Sequence, residues 1–479
     1  MSIARLREQL DSCLDPAAIL DSPEAMAPYC TDWLGRWRGR AALVVRPANT
    51  QQVALVHRLC AQMRIPLVPQ GGNTGMSGGA TPNDFGEQVV ISLQRLNRVR
   101  ALDPVNNTLT VDAGVLLGVA RQAARERGRL LPLSLGSEGS CTIGGNLATN
   151  AGGIQALRYG TMRDLVLGIE VVLPDGRIWD GMRSLRKNNT GYDLKHLFVG
   201  SEGTLGTITG AVLSLTADHV SRATAWLHAP GLADLAQALA LLRQRCGGHL
   251  CAFEMMEPGA VALVRDHLPH LACPVARTGG VHALVELGGA HEAGLQAQLE
   301  QALAAAQADG HVDDVAVALT DAQATQMWRV REGVSLAQVQ FGTAIKHDIA
   351  LPVSAIEGFC AAAREALAPW LTDPALGLRL VNFGHLGDGN LHFNVLVPRT
   401  APADEARHID EVTELAQRIQ PVVHDLVHAH GGCISAEHGI GQLRREDNRR
   451  YKSSVEMDLM MAMKRALDPN QIMNPGKLL

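Results

Sequence analysis

The chain has no GxGxxG placed between a strand and a helix, so a Rossmann-type nicotinamide site has no support, and it has no GxxxxGK[ST], which excludes a P-loop NTPase. It has no CxxC pair either. The nine cysteines, at 13, 30, 60, 141, 246, 251, 273, 360 and 433, are odd in number and scattered. That pattern favours reduced thiols in a reducing compartment over a disulfide framework or a zinc ribbon. No uninterrupted apolar run approaches the length of a membrane span. The opening MSIARLREQLDSCL carries charges throughout and lacks an apolar core followed by a cleavage site, so it does not read as a secretory signal. A net charge of −5 and a pI near 6.4 leave no electrostatic footprint for nucleic acid or an anionic membrane. There is no internal repeat and no low-complexity linker. The expectation is a soluble, cytoplasmic protein with no nucleic-acid partner and no membrane span.

What is present is a globular composition rich in turns: 479 residues, 46% hydrophobic, 19% charged, with 48 glycines. That length is too great for one ordinary core, and two domains are the default. Residues 1–28 read as a short helix and a loop. Val53, Val56, Leu59, Cys60 and Met63 recur at helical spacing over 50–63. A short buried strand at Pro66–Pro69 runs into the glycine-rich loop Gly71–Gly79. Strands are expected at 89–93 and 108–112, a helix at 115–127, and then a second glycine-rich loop, Leu135–Gly153. A strand at 165–173 and the stretch GSEGTLGTITG (Gly200–Gly210) follow. Two such loops at strand ends suggest an extended anionic ligand held by backbone N–H groups. Composition shifts near residue 218. Helices at 231–245, 291–308 and 404–430, with strands at 250–256, 282–287 and 312–319, indicate a second α/β or α+β domain.

The stretch Asn382–Asn394, NFGHLGDGNLHFN, carries the most chemistry, together with SAEHG at Ser435–Gly439. His385 and His392 are seven positions apart, and on one straight strand an odd separation puts side chains on opposite faces. Gly387 and Gly389, around Asp388, can turn the chain back and bring both imidazoles to one point. Val395–Val397 then continues as an apolar strand. Two convergent imidazoles and a carboxylate, with one coordination position open, form the ligand set of a catalytic zinc or similar divalent ion. Glu437 is the natural third ligand, and His438 beside it suits an acid/base role.

These motifs closely resemble the FAD-dependent D-2-hydroxyacid dehydrogenases of the vanillyl-alcohol-oxidase/PCMH flavoprotein superfamily, the D-2-hydroxyglutarate branch above all. The resemblance runs from about residue 40 to the C-terminus and rests on PQGGNTG (Pro69–Gly75), GSCTIGGNLATNAGG (Gly139–Gly153), SLRKNNTGYDL (Ser184–Leu194), GSEGTLG, GHLGDGNLH, SAEHGIG and the terminal NPGK. It implies an α+β fold: a two-lobed PCMH-type FAD-binding domain over 1–217, a substrate- and metal-binding cap over 218–425, and a segment over 426–479 returning to the FAD domain. Gly71, Gly72, Asn73, Thr74 and Gly75 match the pyrophosphate loop of that family. Gly144, Gly145, Asn146, Thr149, Asn150 and Gly153 match its second flavin loop, and Asn474 its tail contact. Some superfamily members attach FAD through a histidine in the first loop; this loop has none, so FAD is expected to be non-covalent, with Cys141 a buried inert thiol.

For the substrate, the resemblance implies Arg331 and Ser335, one helical turn apart and so on one face, then Lys346, as the grip on a distal carboxylate. Ser335 stands where the family often has Thr and keeps the hydroxyl. An arginine fork and an ammonium suit a second carboxylate, which lactate lacks. Asn394 matches a substrate-contacting asparagine. His385, His392 and Glu437 would hold the metal, and His438 would take the hydroxyl proton and contact substrate. The implied reaction oxidises D-2-hydroxyglutarate to 2-oxoglutarate, with electrons leaving to an external acceptor, a flavoprotein carrier or a quinone, because no haem, iron–sulfur or nicotinamide signature is present. D-lactate, glycolate or D-malate are alternative substrates. A redox-silent flavin-binding subunit, or a non-redox flavoenzyme like alkyl-glycerone-phosphate synthase, is the alternative class; the metal residues argue against it. A homodimer is left open.

Overall fold

A computed structural model describes residues 2–290, 294–399 and 405–479. The chain forms two compact units. The first comprises 1–153, 159–218 and 437–479, the second 154–158 and 219–436.

The first unit contains two main sheets. One has the strand order Ile19–Leu20, Ala41–Val45, Gln88–Ser92, Leu67–Gln70, with its last three strands parallel. All five residues of Gln88–Ser92 are buried, as a central parallel strand requires. The other sheet is antiparallel, in the order Val99–Asp103, Thr108–Asp112, Thr207–Ser214, Val166–Val172, Ile178–Gly181. The periodic stretch at 50–63 is a helix, Thr50–Met63. Asn49 caps its start by accepting from Gln52 N at 2.9 Å, and the left-handed Arg64 (φ 54°) ends it. Val53, Val56, Leu59 and Cys60 enter a core shared with Val89, Ile91, Leu109, Ile169 and Leu213.

The tail LDPNQIMNPGKLL is stitched to this unit. Leu67 N donates to Ile472 O and Asn474 N to Leu67 O, each at 2.7 Å, extending the first sheet by one parallel bridge at Met473. Behind it lies a buried ion pair. Lys464 Nζ donates to Asp468 Oδ2 at 2.6 Å and to the Thr204 and Met473 carbonyls at 2.8 Å. Asp468 in turn accepts from the amides of Ile472 and Met473. Burial lowers the Lys464 pKa, and the Asp468 charge works against that.

The second unit is built on one large antiparallel sheet, in the order Asp314–Val317, Ser221–Ala229, Val281–Gly289, Leu250–Met256, Arg379–His385, Asn390–Pro398, Gly342–Ile345, with Asp348–Ala350 also paired to Asn390–Pro398. The helices Pro258–His267 and Asp321–Phe341 cover one face. Between them and the sheet lie Trp226, Met256, Leu263, Val264, Leu284, Val330, Val334 and Leu396.

The strands expected at 250–256, 282–287 and 312–319 are Leu250–Met256, Val281–Gly289 and the shorter Asp314–Val317. The helix expected at 231–245 is Leu232–Cys246. The helix expected at 291–308 is Leu295–Ala308, residues 291–293 lying outside the described residues, and that at 404–430 is Glu405–Ala429, residue 404 lying outside them. Ile356–Leu371 and Ser454–Leu467 were not anticipated. The second of these is mostly exposed, its apolar residues Val455, Leu459 and Met463 included; its start is fixed by a capping box between Ser453 and Glu456.

Lys464→Met would leave the Asp468 carboxylate buried without its cation. Breaking a buried pair in this way costs roughly 3–5 kcal/mol. The expected result is a clear drop in the urea midpoint of unfolding; an unchanged midpoint would show that the tail is held by its backbone bonds alone.

Candidate functional sites

In the first unit both glycine-rich loops face one cavity. Gly71–Gly75, Gly144, Gly145, Asn146 and Thr149 line it, with Ser77, Cys141, Ser201–Gly203 and His438. The sheet ladder ends at Gln70, paired with Ser92. Beyond it, no backbone amide of Gly71, Gly72, Asn73, Thr74 or Gly75 donates to a protein acceptor among the described residues. Unengaged amides on a concave loop are what a pyrophosphate needs, so the residues present fit a dinucleotide. Gly72 is required sterically as well: a Cβ there would lie 2.0 Å from the Ser140 carbonyl of the second loop. Burial raises the Cys141 pKa, against weaker opposing bonds from Ser137 and Asn146, which makes it a poor nucleophile.

Asn150, Gly153 and Asn474 do not line this cavity. Asn150 and Asn474 are left-handed, at φ 51° and 43°, as is Asn73 at 54°, and their side chains bond to the protein. Asn73 Nδ2 donates to the Thr31 carbonyl at 2.7 Å. Asn150 Oδ1 accepts from Thr161 Oγ1 and Arg163 N, both at 2.9 Å. Asn474 Nδ2 donates to Gly79 O at 2.9 Å and Glu202 O at 2.7 Å. These asparagines hold the loops in shape.

Glu202, in GSEGTLG, was not singled out from the sequence. Its carboxylate accepts from the amides of Ile440 and Gly441, each at 2.8 Å. Burial raises its pKa and those two N–H groups oppose the rise. Ser77 Oγ adds bonds to the carbonyls of His438, at 3.2 Å, and Gly439, at 3.1 Å. Two motifs that were read separately, GSEGTLG and SAEHGIG, are thus one clamp that fixes the His438 backbone at the cavity wall.

In the second unit the histidine stretch is a hairpin: Arg379–His385 pairs with Asn390–Pro398, joined at Leu386–Gly389. A Cβ on Gly389 would meet the Leu351 carbonyl at 2.1 Å, and its φ is +83°, so the turn needs glycine. The register places Phe383 opposite His392. Opposed residues share a face, and so do residues two apart. His385, Phe383, His392 and Asn394 therefore all point the same way. The imidazole centroids of His385 and His392 are 5.6 Å apart, in an edge-to-face arrangement.

Two carboxylates that sequence reasoning did not name back these rings. Glu254 stands opposite His385 in register, and its Oε1 lies 2.8 Å from His385 Nδ1. Asp348 stands opposite His392, with Oδ1 at 3.9 Å from Nδ1, and Asp348 also accepts from Asn390 Nδ2 at 3.0 Å. Both carboxylates are 1% exposed. Burial disfavours the Glu254 charge, but His385 and Arg331 outweigh it and bring its pKa to about 2. With Nδ1 of His385 engaged, Nε2 is the nitrogen suited to ligation, the usual arrangement behind a metal-bound imidazole. The donor set of the hairpin fits a divalent ion. Glu437 is the residue directly after Ala436, whose amide donates to Asp348 O at 3.1 Å.

Arg331 and Ser335 lie one turn apart on Asp321–Phe341, but only Arg331 is turned inward. It is 7% exposed, donates to Glu254 Oε2 from Nε at 2.9 Å, keeps a terminal nitrogen 2.7 Å from the same oxygen, and sits 4.9 Å over the Phe383 ring. Ser335 is exposed. Lys346 is half-buried, between the strands Gly342–Ile345 and Asp348–Ala350. Asn394 is buried: Oδ1 accepts from His347 N at 3.1 Å and Nδ2 donates to Gln338 at 2.9 Å.

Residues 219–478 match the family model "FAD linked oxidases, C-terminal domain", and residues 41–181 match "FAD binding domain". The mitochondrial D-2-hydroxyglutarate dehydrogenase of Bos taurus is 38% identical over 469 residues, 97% of this chain and 81% of that protein. The D-2-hydroxyglutarate dehydrogenase of Xanthomonas citri is 38% identical over 461 residues, 95% and 93% of the two chains. Among solved structures, p-cresol methylhydroxylase matches with a TM-score of 0.75 at 17% identity, over 100% of this chain and 96% of that one. Alkyldihydroxyacetonephosphate synthase matches at 0.74 and 17%, over 98% and 84%; both likenesses concern the fold alone. With curated relatives at this identity over nearly the whole chain and a family model over more than half of it, the chain belongs to the FAD-linked oxidases, oxidoreductases that use FAD.

Proposed function

We propose that the chain is an FAD- and divalent-metal-dependent dehydrogenase that oxidises D-2-hydroxyglutarate to 2-oxoglutarate and passes the electrons to an external acceptor, an electron-transfer flavoprotein or a quinone. The reading is carried by one observation: the His385–His392 pair shares its face of the sheet with an inward-turned arginine. A cation beside a divalent-ion ligand pair suits a 2-hydroxyacid with a second carboxylate. The names of the relatives from Bos taurus and Xanthomonas citri point to the same acid.

Each residue then has a role. Gly71–Gly75 and Gly144–Asn146 hold the dinucleotide through backbone N–H groups. His385 and His392, with Glu437, hold the ion. Bound FAD supplies the hydride acceptor, and the divalent ion supplies Lewis acidity toward the hydroxyl and its neighbouring carboxylate. An imidazole nitrogen of His438 takes the hydroxyl proton. Arg331 binds the distal carboxylate, with Lys346 as a further donor and Asn394 orienting the acid; the exposed Ser335 has no role. A substrate fixed at both ends presents its C–H bond in one orientation, which is where positioning lowers the barrier.

The direct test is anaerobic addition of D- and L-2-hydroxyacids to the purified protein while flavin absorbance is followed. D-2-hydroxyglutarate should bleach it and the L-acid should not; an unbleached flavin with the D-acid sinks the proposal. Acid precipitation should release FAD into the supernatant, since the first loop lacks a histidine; yellow colour in the pellet would implicate Cys141. Chelation, or His385→Ala or His392→Ala, should abolish bleaching while FAD stays bound. Full bleaching without metal would return the histidines to a structural role. Arg331→Met removes a charge-assisted contact of roughly 1.5–3 kcal/mol, about ten- to a hundredfold in binding. That loss should fall on D-2-hydroxyglutarate and spare a monocarboxylate such as D-lactate; parallel losses would count against the dicarboxylate assignment.

A further inference from the structure

Glu254 lies within the strand Leu250–Met256, all of it buried, where a carboxylate is costly unless its oxygens have partners. Both oxygens have one, and the two partners differ. Oε1 lies 2.8 Å from His385 Nδ1, while Oε2 faces two of the three guanidinium nitrogens of Arg331, Nε and one terminal nitrogen. We propose that Glu254 is a positioning residue that couples ion binding at the His385–His392 pair to the placement of the Arg331 guanidinium for the substrate's distal carboxylate. The inference rests on the metal-dependent dicarboxylate reading given above.

The geometry makes the two functions inseparable at this residue. The Oε1 contact fixes the His385 ring orientation and, through the Nδ1 proton, makes Nε2 the basic nitrogen. The Oε2 contact holds Arg331 by one edge and leaves the fork's remaining nitrogen to reach a ligand, with the Phe383 ring fixing the guanidinium plane at 4.9 Å. A purely structural ion pair would need no histidine on its second oxygen, and an apolar substitute would cost less at such depth. Glutamine, the nearest isostere, cannot satisfy both partners. One of its two terminal atoms is an amide donor, which would face either the His385 N–H or the guanidinium, both donors themselves.

The test compares Glu254→Gln, Glu254→Asp and Arg331→Met with the unmodified protein, all holding FAD. Zinc binding to the metal-free forms is measured by titration calorimetry, and KM for D-2-hydroxyglutarate by flavin reduction. Both Glu254 variants should bind zinc ten- to a hundredfold more weakly, the range for loss of a carboxylate behind a metal-bound histidine, and should also raise KM. Arg331→Met should raise KM alone and keep zinc affinity, because the His385–Glu254 contact survives. Thermal unfolding of the metal-free forms separates positioning from stability: Glu254→Gln should unfold earlier than the unmodified protein, because the buried Arg331 loses its counter-charge, yet should stay folded with FAD bound, as should Glu254→Asp, which keeps the charge. Wild-type zinc affinity in both Glu254 variants would overturn the coupling, and so would a Glu254→Gln protein that fails to fold. If the unmodified protein binds no divalent ion yet oxidises the substrate, the metal reading itself fails and the coupling with it.

Discussion

The second unit depends on the register between Arg379–His385 and Asn390–Pro398. A slip of one residue would send His392 to the opposite face of the sheet and leave His385 behind, because side chains alternate strictly along a strand. Two constraints prevent it. Gly389 turns the chain where any side chain would strike the Leu351 carbonyl. The pairing of Asp348–Ala350 with Asn390–His392 then holds the outgoing strand from its other edge. His385 gains its neighbours in the same way, since Leu250–Met256 runs antiparallel beside it and presents Glu254 at the opposing position. Backbone hydrogen bonding therefore decides which side chains meet.

The units solve the problem of burying charge differently. In the second, a carboxylate inside the sheet is tolerated because every oxygen finds a cationic or N–H partner, and the cationic partner is held over an aromatic face. In the first, backbone groups do most of the work. The first glycine-rich loop leaves its amides without a protein acceptor among the described residues, three asparagines hold left-handed turns, and Glu202 is satisfied by two backbone amides rather than by a cation. A site made of backbone dipoles suits a large anionic cofactor. A site made of side chains on a rigid sheet suits selection among small acids.

Much was legible in the chain itself. Helical spacing over 50–63 and apolar strand runs give local elements whose stability is mostly local or short-range in origin. The glycine-rich loops were visible because a close backbone approach admits no other residue, and the histidine hairpin because Gly-Asp-Gly can reverse a chain. Ser454–Leu467 was missed although both its apolar residues and its capping box stand in the sequence.

The sequence by itself determined the two glycine-rich loops, the histidine hairpin and the family resemblance, because each rests on short motifs whose chemistry depends on residues close in the chain; Arg331 and Lys346 became candidates only through that resemblance. Tertiary structure alone decided the rest. Glu254 is 131 residues from His385 and 77 from Arg331, and Glu202 is 238 from Ile440. No periodicity or spacing marks such partners: an acidic residue in an apolar strand looks like an interruption of the pattern until the sheet register shows what stands opposite it. Tertiary structure likewise turned Arg331 inward and left Ser335 exposed, one helical turn apart. The 3.6-residue repeat fixes only their common side of the helix, while depth in the fold depends on how that helix lies across the sheet.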